Sequence, residues 1–169
     1  MSDFETTLCE EITGEVCPKK KLVFVCTGNT CRSPMAAALY NHLFAKGEYF
    51  ATSAGLYADG SPISEKAVCA LMERGVLPTP SNDYRHHTSR SLDENLINDA
   101  DMVVGITGSH AMEVMFRHPA HASKIAVMSE DIPDPYGGDD DVYRKCLEMI
   151  ERSLTSSFGS NTEEATDGE

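Results

Sequence analysis

A thiol and a guanidinium separated by five residues are the groups in this chain best placed to do chemistry. The stretch reads Cys26-Thr27-Gly28-Asn29-Thr30-Cys31-Arg32-Ser33-Pro34. If the backbone N–H groups between Cys26 and Arg32 turn inward, they form an anion-binding concavity that suits a phosphate-sized dianion. A helix N-terminus and Arg32 beside Cys26 would favour negative charge on its sulfur. A nucleophilic sulfur at the floor of a phosphate cradle can accept a phosphoryl group. The other residues fit that purpose. Gly28 permits a backbone turn that a side chain would block. Asn29 tolerates left-handed geometry. Ser33 can cap a following helix and point its hydroxyl at the sulfur. Pro34 falls in the first helical turn, where a missing N–H costs little. The competing reading is a buried structural cysteine beside an ordinary capped helix.

Phosphoryl transfer to sulfur leaves a basic group behind, so a proton donor is needed nearby. Asp131-Ile132-Pro133-Asp134-Pro135-Tyr136-Gly137-Gly138 offers one. Two prolines stiffen this segment and two glycines close it, which makes a loop of fixed presentation. Taken alone it would pass for a solvated Pro/Gly turn.

The surrounding elements must bring these two loops together. The apolar run Leu22–Val25 reads as a buried parallel strand, followed by the cradle and a helix to about Lys46. Tyr49–Ser53 reads as a second strand, and Ser64 as the cap of a helix to about Arg74. Leu92–Asn98 reads as a short helix, with Ser91 and Glu94 as a capping box. Met102–Ile106 is a third strand, His110–Arg117 a helix and Lys124–Met128 a fourth strand. Asp141–Leu154 is an amphipathic helix with Val142, Cys146, Met149, Ile150 and Leu154 on one face. Strands alternating with helices give an α/β fold with a parallel sheet covered by helices on both faces. Both loops then emerge at the carboxyl edge.

With both loops in place, the chain resembles the low-molecular-weight phosphotyrosine protein phosphatases over roughly residues 21–155. Val25–Pro34 resembles the family's signature loop, and Asp134-Pro135-Tyr136-Gly137 its general-acid loop. Ser53-Ala54-Gly55, His87-Thr88-Ser89-Arg90 and Asp99–Val104 followed by His110 fall where the family has similar segments. The resemblance implies one domain with four strands in the order 2-1-3-4. By position it makes Cys26 the nucleophile and Arg32 the clamp on two phosphoryl oxygens. The amides from Thr27 through Gly28, Asn29, Thr30 and Cys31 to Arg32 would bind the other oxygens. Ser33 would bond the Cys26 sulfur. Asp134 would protonate the leaving group and then act as base. Asn29, with Ser53 and His87 around it, would hold the loop in shape. A disulfide between Cys26 and Cys31 would protect the nucleophile; the other reading of Cys31 is a small residue that fits the loop. Many tyrosine phosphatases of the family carry a bulky aliphatic residue where Thr30 stands. The protein-arginine phosphatases in the family resemble this chain there and in the Asp-Pro-aromatic-Gly-Gly loop. Thr30 and Tyr136 are therefore the specificity positions, and the choice between phosphotyrosine and phosphoarginine stays open.

Composition bounds the rest. At 169 residues and 41% apolar, the chain fits one soluble domain with a single core. The expected division is an acidic extension over 1–20, a phosphatase domain over 21–155 and an acidic tail over 156–169. Nine of the 27 acids lie outside residues 19–156, leaving 18 against all 14 Lys and Arg there. An acidic chain argues against a nucleic-acid partner. No apolar run is long enough to span a bilayer. Residues 1–15 do not read as a secretory signal, and the six cysteines show no Cys-x2-Cys pair. The expectation is a cytoplasmic monomer with reduced thiols, no metal and no cofactor, acting on phosphorylated proteins. Cys69 and Cys146 read as core residues. A thioredoxin-linked arsenate reductase needs further relay cysteines, and residues 75–125 contain none. A pure phosphoprotein-binding module would need neither Cys26 nor Asp134.

Overall fold

A computed structural model describes residues 18–159. Its four strands are β1 (Lys20–Cys26), β2 (Tyr49–Gly55), β3 (Met102–Gly105) and β4 (Ile125–Val127). Its helices are α1 (Arg32–Leu43), α2 (Glu65–Arg74), α3 (Glu94–Asp99), α4 (Gly108–Arg117) and α5 (Asp140–Phe158). The strands form one parallel sheet in the order β2-β1-β3-β4. Cys26 pairs with Gly55, and Val25 with Gly105, so three strands end level with one another at the carboxyl edge.

Alternation along β1 divides the core in two. Leu22, Phe24 and Cys26 face a cluster that also holds Met35 and Leu39 of α1, Leu71 of α2 and Ile150 and Leu154 of α5. Val23 and Val25 face a smaller cluster with Ile97 of α3, Val103 of β3 and Val114 of α4. Both faces of β1 are thus dry, and its residues from Leu22 to Cys26 are all buried. Among the described residues no helix is long and apolar enough to cross a membrane.

Several local expectations change. Cys31, not Ser33, occupies the N-cap of α1, and no side chain caps that end. Asp93 caps α3 by accepting from Leu96 N–H, while Ser91 bridges to Gly55 upstream. Ser64 does precede α2, yet its hydroxyl bonds Tyr143 instead of the helix. Cys69 is exposed; Ala67, Ala70 and Leu71 form the buried face of α2. On α5 the inward face is Tyr143, Cys146, Leu147, Ile150 and Leu154, and Val142 points to solvent. That helix continues beyond Thr155 to Phe158, whose ring packs against Tyr40 at 5.1 Å and Phe44 at 6.1 Å. The apolar signal of Phe158 is separated from the main stripe by polar residues, which hid the extra turn. Of the acidic extension expected over 1–20 and the tail over 156–169, residues 1–17 and 160–169 lie outside the described residues, while Lys20 belongs to β1 and residues 156–158 to α5.

The Phe158 contacts predict a measurable share of stability. Phe158→Ala should cost about 1–2 kcal/mol, from lost aromatic packing and area burial. Thermal unfolding should then show a Tm lower by about 3–6 °C. An unchanged Tm would mean the last turn of α5 is only loosely attached.

Candidate active site

Cys26 closes β1 and Arg32 opens α1, so the loop between them is held by secondary structure at both ends. Backbone bonds brace it from the β2 side. Leu56 and Tyr57 donate to the carbonyls of Cys26 and Thr27, and Ser64 N–H donates to Thr30 O. Gly55 permits this closeness. A Cβ there would sit 2.7 Å from Thr27 O and 2.9 Å from Asn29 Cβ. Gly28 is different. Its φ is not positive, and an added Cβ would meet only Thr30 Oγ1, at 3.9 Å. The close approach expected of Gly28 is made across the sheet edge by Gly55.

Asn29 is the left-handed residue of the loop, with φ 60°, and it is fully buried. Three contacts hold this conformation. His87 Nε2 lies 2.9 Å from Asn29 O. Arg90 N–H donates to Asn29 Oδ1 at 3.0 Å, and Asn29 Nδ2 donates to Ser33 Oγ at 2.8 Å. Asn29 Nδ2 occupies an acceptor site on Ser33 Oγ, which leaves the hydroxyl proton for the Cys26 sulfur at 2.9 Å or the Ala54 carbonyl at 3.4 Å, and the sulfur is the nearer. Asn29 N–H donates to the same sulfur at 3.3 Å. Two donors therefore converge on one buried thiol. Ser53 reaches this network through Arg90, whose Nε donates to Ser53 O at 3.1 Å.

Arg32 is buried between the cradle and the acid loop. One arm donates to Ile132 O at 3.1 Å, and the other lies 3.7 Å from Asp134 Oδ2. Asp134 is half-exposed, its other oxygen accepting from Tyr136 N–H at 3.1 Å. Further ties fix the acid loop. Asp131 accepts from Gly108 N–H at 2.8 Å, and Lys66 of α2 donates to Gly138 O at 2.7 Å. The cleft above the cradle measures about 670 Å³. Thr30 and Cys31 line its floor, Tyr57 and Tyr136 its walls. The Tyr57 ring is steadied by Arg117, 4.7 Å from its centroid, and its hydroxyl donates to Glu113.

Cys31 is a free thiol, buried, with its sulfur 3.3 Å from Tyr143 OH. Burial pushes the Tyr143 phenol up to about 12, and the Cys31 contact adds to this. The phenol stays protonated, bonds the Cys31 sulfur and accepts from Ser64 Oγ–H. Two histidines flank the site as neutral rings. Burial lowers His87, outweighing its bond to Asn29 O. Burial, then the charge of Arg32, brings His110 down to about 4.

Gly28, Thr30, Cys31 and Tyr136 line this cleft. Cys26, Asn29, Ser33 and His87 share one bonded network, Arg32 meets Asp134, and Thr27 meets His110. Ser53 stands one step behind. Sequence reasoning missed the roles of Arg90, Tyr143, Lys66 and His110. Arg90 lay in a segment already singled out by resemblance. Tyr143 showed only as a hydroxyl-bearing residue on the buried stripe of α5.

Comparison with known proteins adds to this geometry. A sequence profile described as low molecular weight phosphotyrosine protein phosphatase matches residues 21–165. A protein-arginine-phosphatase of Bacillus subtilis is 32% identical over 143 residues, 79% of this chain and 91% of the relative. A probable low molecular weight protein-tyrosine-phosphatase, EpsP, of Ralstonia nicotianae is 30% identical over 139 residues, 80% of this chain and 91% of the relative. An arsenate reductase of Halalkalibacterium halodurans is 31% identical over 139 residues, 80% of this chain and 93% of the relative. Among solved structures, the YwlE arginine phosphatase in a cysteine-to-serine form with a phosphorylated active-site serine aligns with a TM-score of 0.74. It is 28% identical and covers 86% of this chain and 97% of its own.

Two outcomes follow from the site's packing and charge. Gly55→Ala should overpack the cradle, costing about 1–3 kcal/mol, whereas Gly28→Ala should leave Tm nearly unchanged. Equal Tm losses would show that Gly55 is not the tight position. Second, above pH 6.5 His110 is neutral both folded and unfolded. Between 6.5 and about 4 the unfolded chain takes up a proton that the folded chain refuses, so stability falls as pH falls. The loss from His110 should reach up to about 3 kcal/mol by pH 4. Denaturant titrations at pH 7 and pH 4.5 on the wild type and His110→Asn should show the smaller drop in the variant.

Proposed function

This chain belongs to the low molecular weight phosphotyrosine protein phosphatase family, and we propose that its chemistry runs on Cys26, Arg32 and Asp134 with phosphoarginine as the preferred substrate. The meeting of Ser33 Oγ and Asn29 N–H at the Cys26 sulfur, with the Arg32 guanidinium set against Asp134, supports the catalytic assignment most directly. Cys26 attacks phosphorus and forms an S–P bond while the P–N or P–O bond to the side chain breaks. Arg32 and the amides from Thr27 to Arg32 hold the equatorial oxygens as charge spreads over them. Asp134, protonated at the start, gives its proton to the departing nitrogen or oxygen. Water then attacks the phosphocysteine, Asp134 takes its proton, and the Cys26 sulfur leaves as a thiolate. Ser33 Oγ–H and Asn29 N–H favour that departure by bonding the sulfur. The Arg32 guanidinium bonds Ile132 O and lies beside Asp134, so on this reading the phosphate clamp and the acid loop share one group.

The substrate reading rests on Thr30. Its side chain lines the cleft floor, where a planar side chain above the bound phosphoryl group would lie. A hydroxyl-bearing residue there accommodates a polar guanidinium, whereas a large aliphatic residue would pack against an aryl ring. The Tyr57 and Tyr136 walls favour the second reading, phosphotyrosine, because two aromatic faces suit a flat ring. The arsenate reductase reading is weaker, since residues 75–125 hold no cysteine for a relay. On the proposed reading the partners are phosphorylated proteins, met by a monomer in the reducing cytoplasm where Cys26 stays a free thiol.

Three measurements test this. Cys26→Ser should fold and lose turnover entirely; retained activity would remove Cys26 from the chemistry. Asp134→Ala should slow substrates with poor leaving groups by about 10²–10⁴-fold, and activated aryl phosphates much less. Equal losses on both would end the acid role. Comparing kcat/KM for phosphoarginine and phosphotyrosine peptides should favour the former. Thr30→Ile should shift that ratio toward phosphotyrosine by tenfold or more. An unmoved ratio would place selectivity elsewhere in the cleft.

A further inference from the structure

We infer that His110 is a positioning residue that turns the Thr27 hydroxyl into a hydrogen-bond donor aimed at the bound phosphoryl substrate. The inference rests on the catalytic assignment above. His110 is buried, on the first turn of α4, 83 residues from Thr27. Its ring spans two fixed points. Thr107 N–H donates to Nδ1 at 3.2 Å, within a reciprocal cap in which His110 N–H donates to Thr107 Oγ1. With Nδ1 accepting from Thr107 N–H, and with Thr107 Oγ1 3.0 Å away able to donate to the same atom, the proton of the neutral ring is assigned to Nε2. Nε2 lies 2.9 Å from Thr27 Oγ1, which therefore accepts from it.

That assignment has a consequence at Thr27. Its oxygen is engaged as an acceptor, and its own O–H still needs an acceptor. Thr27 directly follows the nucleophile and is exposed at the mouth of the cradle. A phosphoryl oxygen bound there would be the acceptor. With a ring that could rotate, Thr27 could satisfy itself against Nε2 as donor and present lone pairs to a dianion, which would be repulsive. The Thr107 cap prevents that rotation. The same turn of α4 also holds the acid loop, because Gly108 N–H donates to Asp131 Oδ1 at 2.8 Å. One helix start thus steadies the cradle through His110 and the acid loop through Gly108. Burial and the nearby Arg32 charge keep the ring neutral through the working range, with Glu113, Asp134 and Asp131 opposing them.

The test is a double-mutant cycle on the full chain, read as kcat/KM for an aryl phosphate and as competitive inhibition by orthovanadate. Thr27→Val and His110→Ala should each lower kcat/KM and vanadate affinity about tenfold, and the double variant should be no worse than the poorer single. Thr27→Ser and His110→Gln, which restore a hydroxyl and an N–H donor, should recover most of the loss. Additive effects, or a Thr27→Val variant as active and as vanadate-sensitive as wild type, would overturn the inference. If His110→Ala melts, Thr27→Val and His110→Gln decide the matter alone. An inactive wild type would instead sink the catalytic assignment.

Discussion

The site depends on holding one asparagine in a left-handed conformation. Asn29 uses its carbonyl, side-chain oxygen, side-chain amide and backbone N–H on four different partners: His87, Arg90, Ser33 and Cys26. Each bond is modest, worth about 1 kcal/mol net. Together they set the hydroxyl direction of Ser33 and so the donors that meet the Cys26 sulfur. The strain of a positive φ at a non-glycine residue persists because the surroundings over-determine it. Removing any one partner would leave a buried polar group without its bond, which costs more than the bond itself contributes.

The sheet supplies the geometry that makes this possible. Parallel strands in register bring Cys26, Gly55 and Gly105 to one edge, and the loops that follow pack against one another there. Neither Gly55 nor the segment from His87 to Arg90 belongs to the cradle in sequence. Both press on it because β2 lies beside β1 and the strand ends are level. Arg32 closes the assembly from the other side through Ile132 and Asp134.

The sequence made the large pattern legible and hid the lateral contacts. Leu22–Val25 announced a doubly buried strand because all four residues are apolar, and Phe24 and Val25 do face opposite cores. The Cys26–Arg32 spacing and the stiff loop of Asp134 stood out in the sequence, and the fold brings Arg32 within 3.7 Å of Asp134. Ser33 and Ser91 were misread as caps. Any serine near a helix start looks like one, and only the backbone says whether its hydroxyl is spent elsewhere. Cys69 was misread as core because alanines and leucine surround it in sequence, while the turn of the helix puts it on the outer face. His110 and Tyr143 act across 83 and 112 residues, a separation that no local pattern encodes.

The double engagement of Arg32 limits how this enzyme can be altered. Its guanidinium is gripped by a main-chain carbonyl, Ile132 O, so no side-chain replacement in the acid loop can release it. Only a change in the path of that loop's backbone would do so. Grafting a loop of different length from another family member would therefore move the Arg32 guanidinium as well as Asp134. The cradle and the Asp134 loop form a single exchangeable module, while the side chains of Tyr57 and Tyr136, on the cleft walls, can vary without disturbing it.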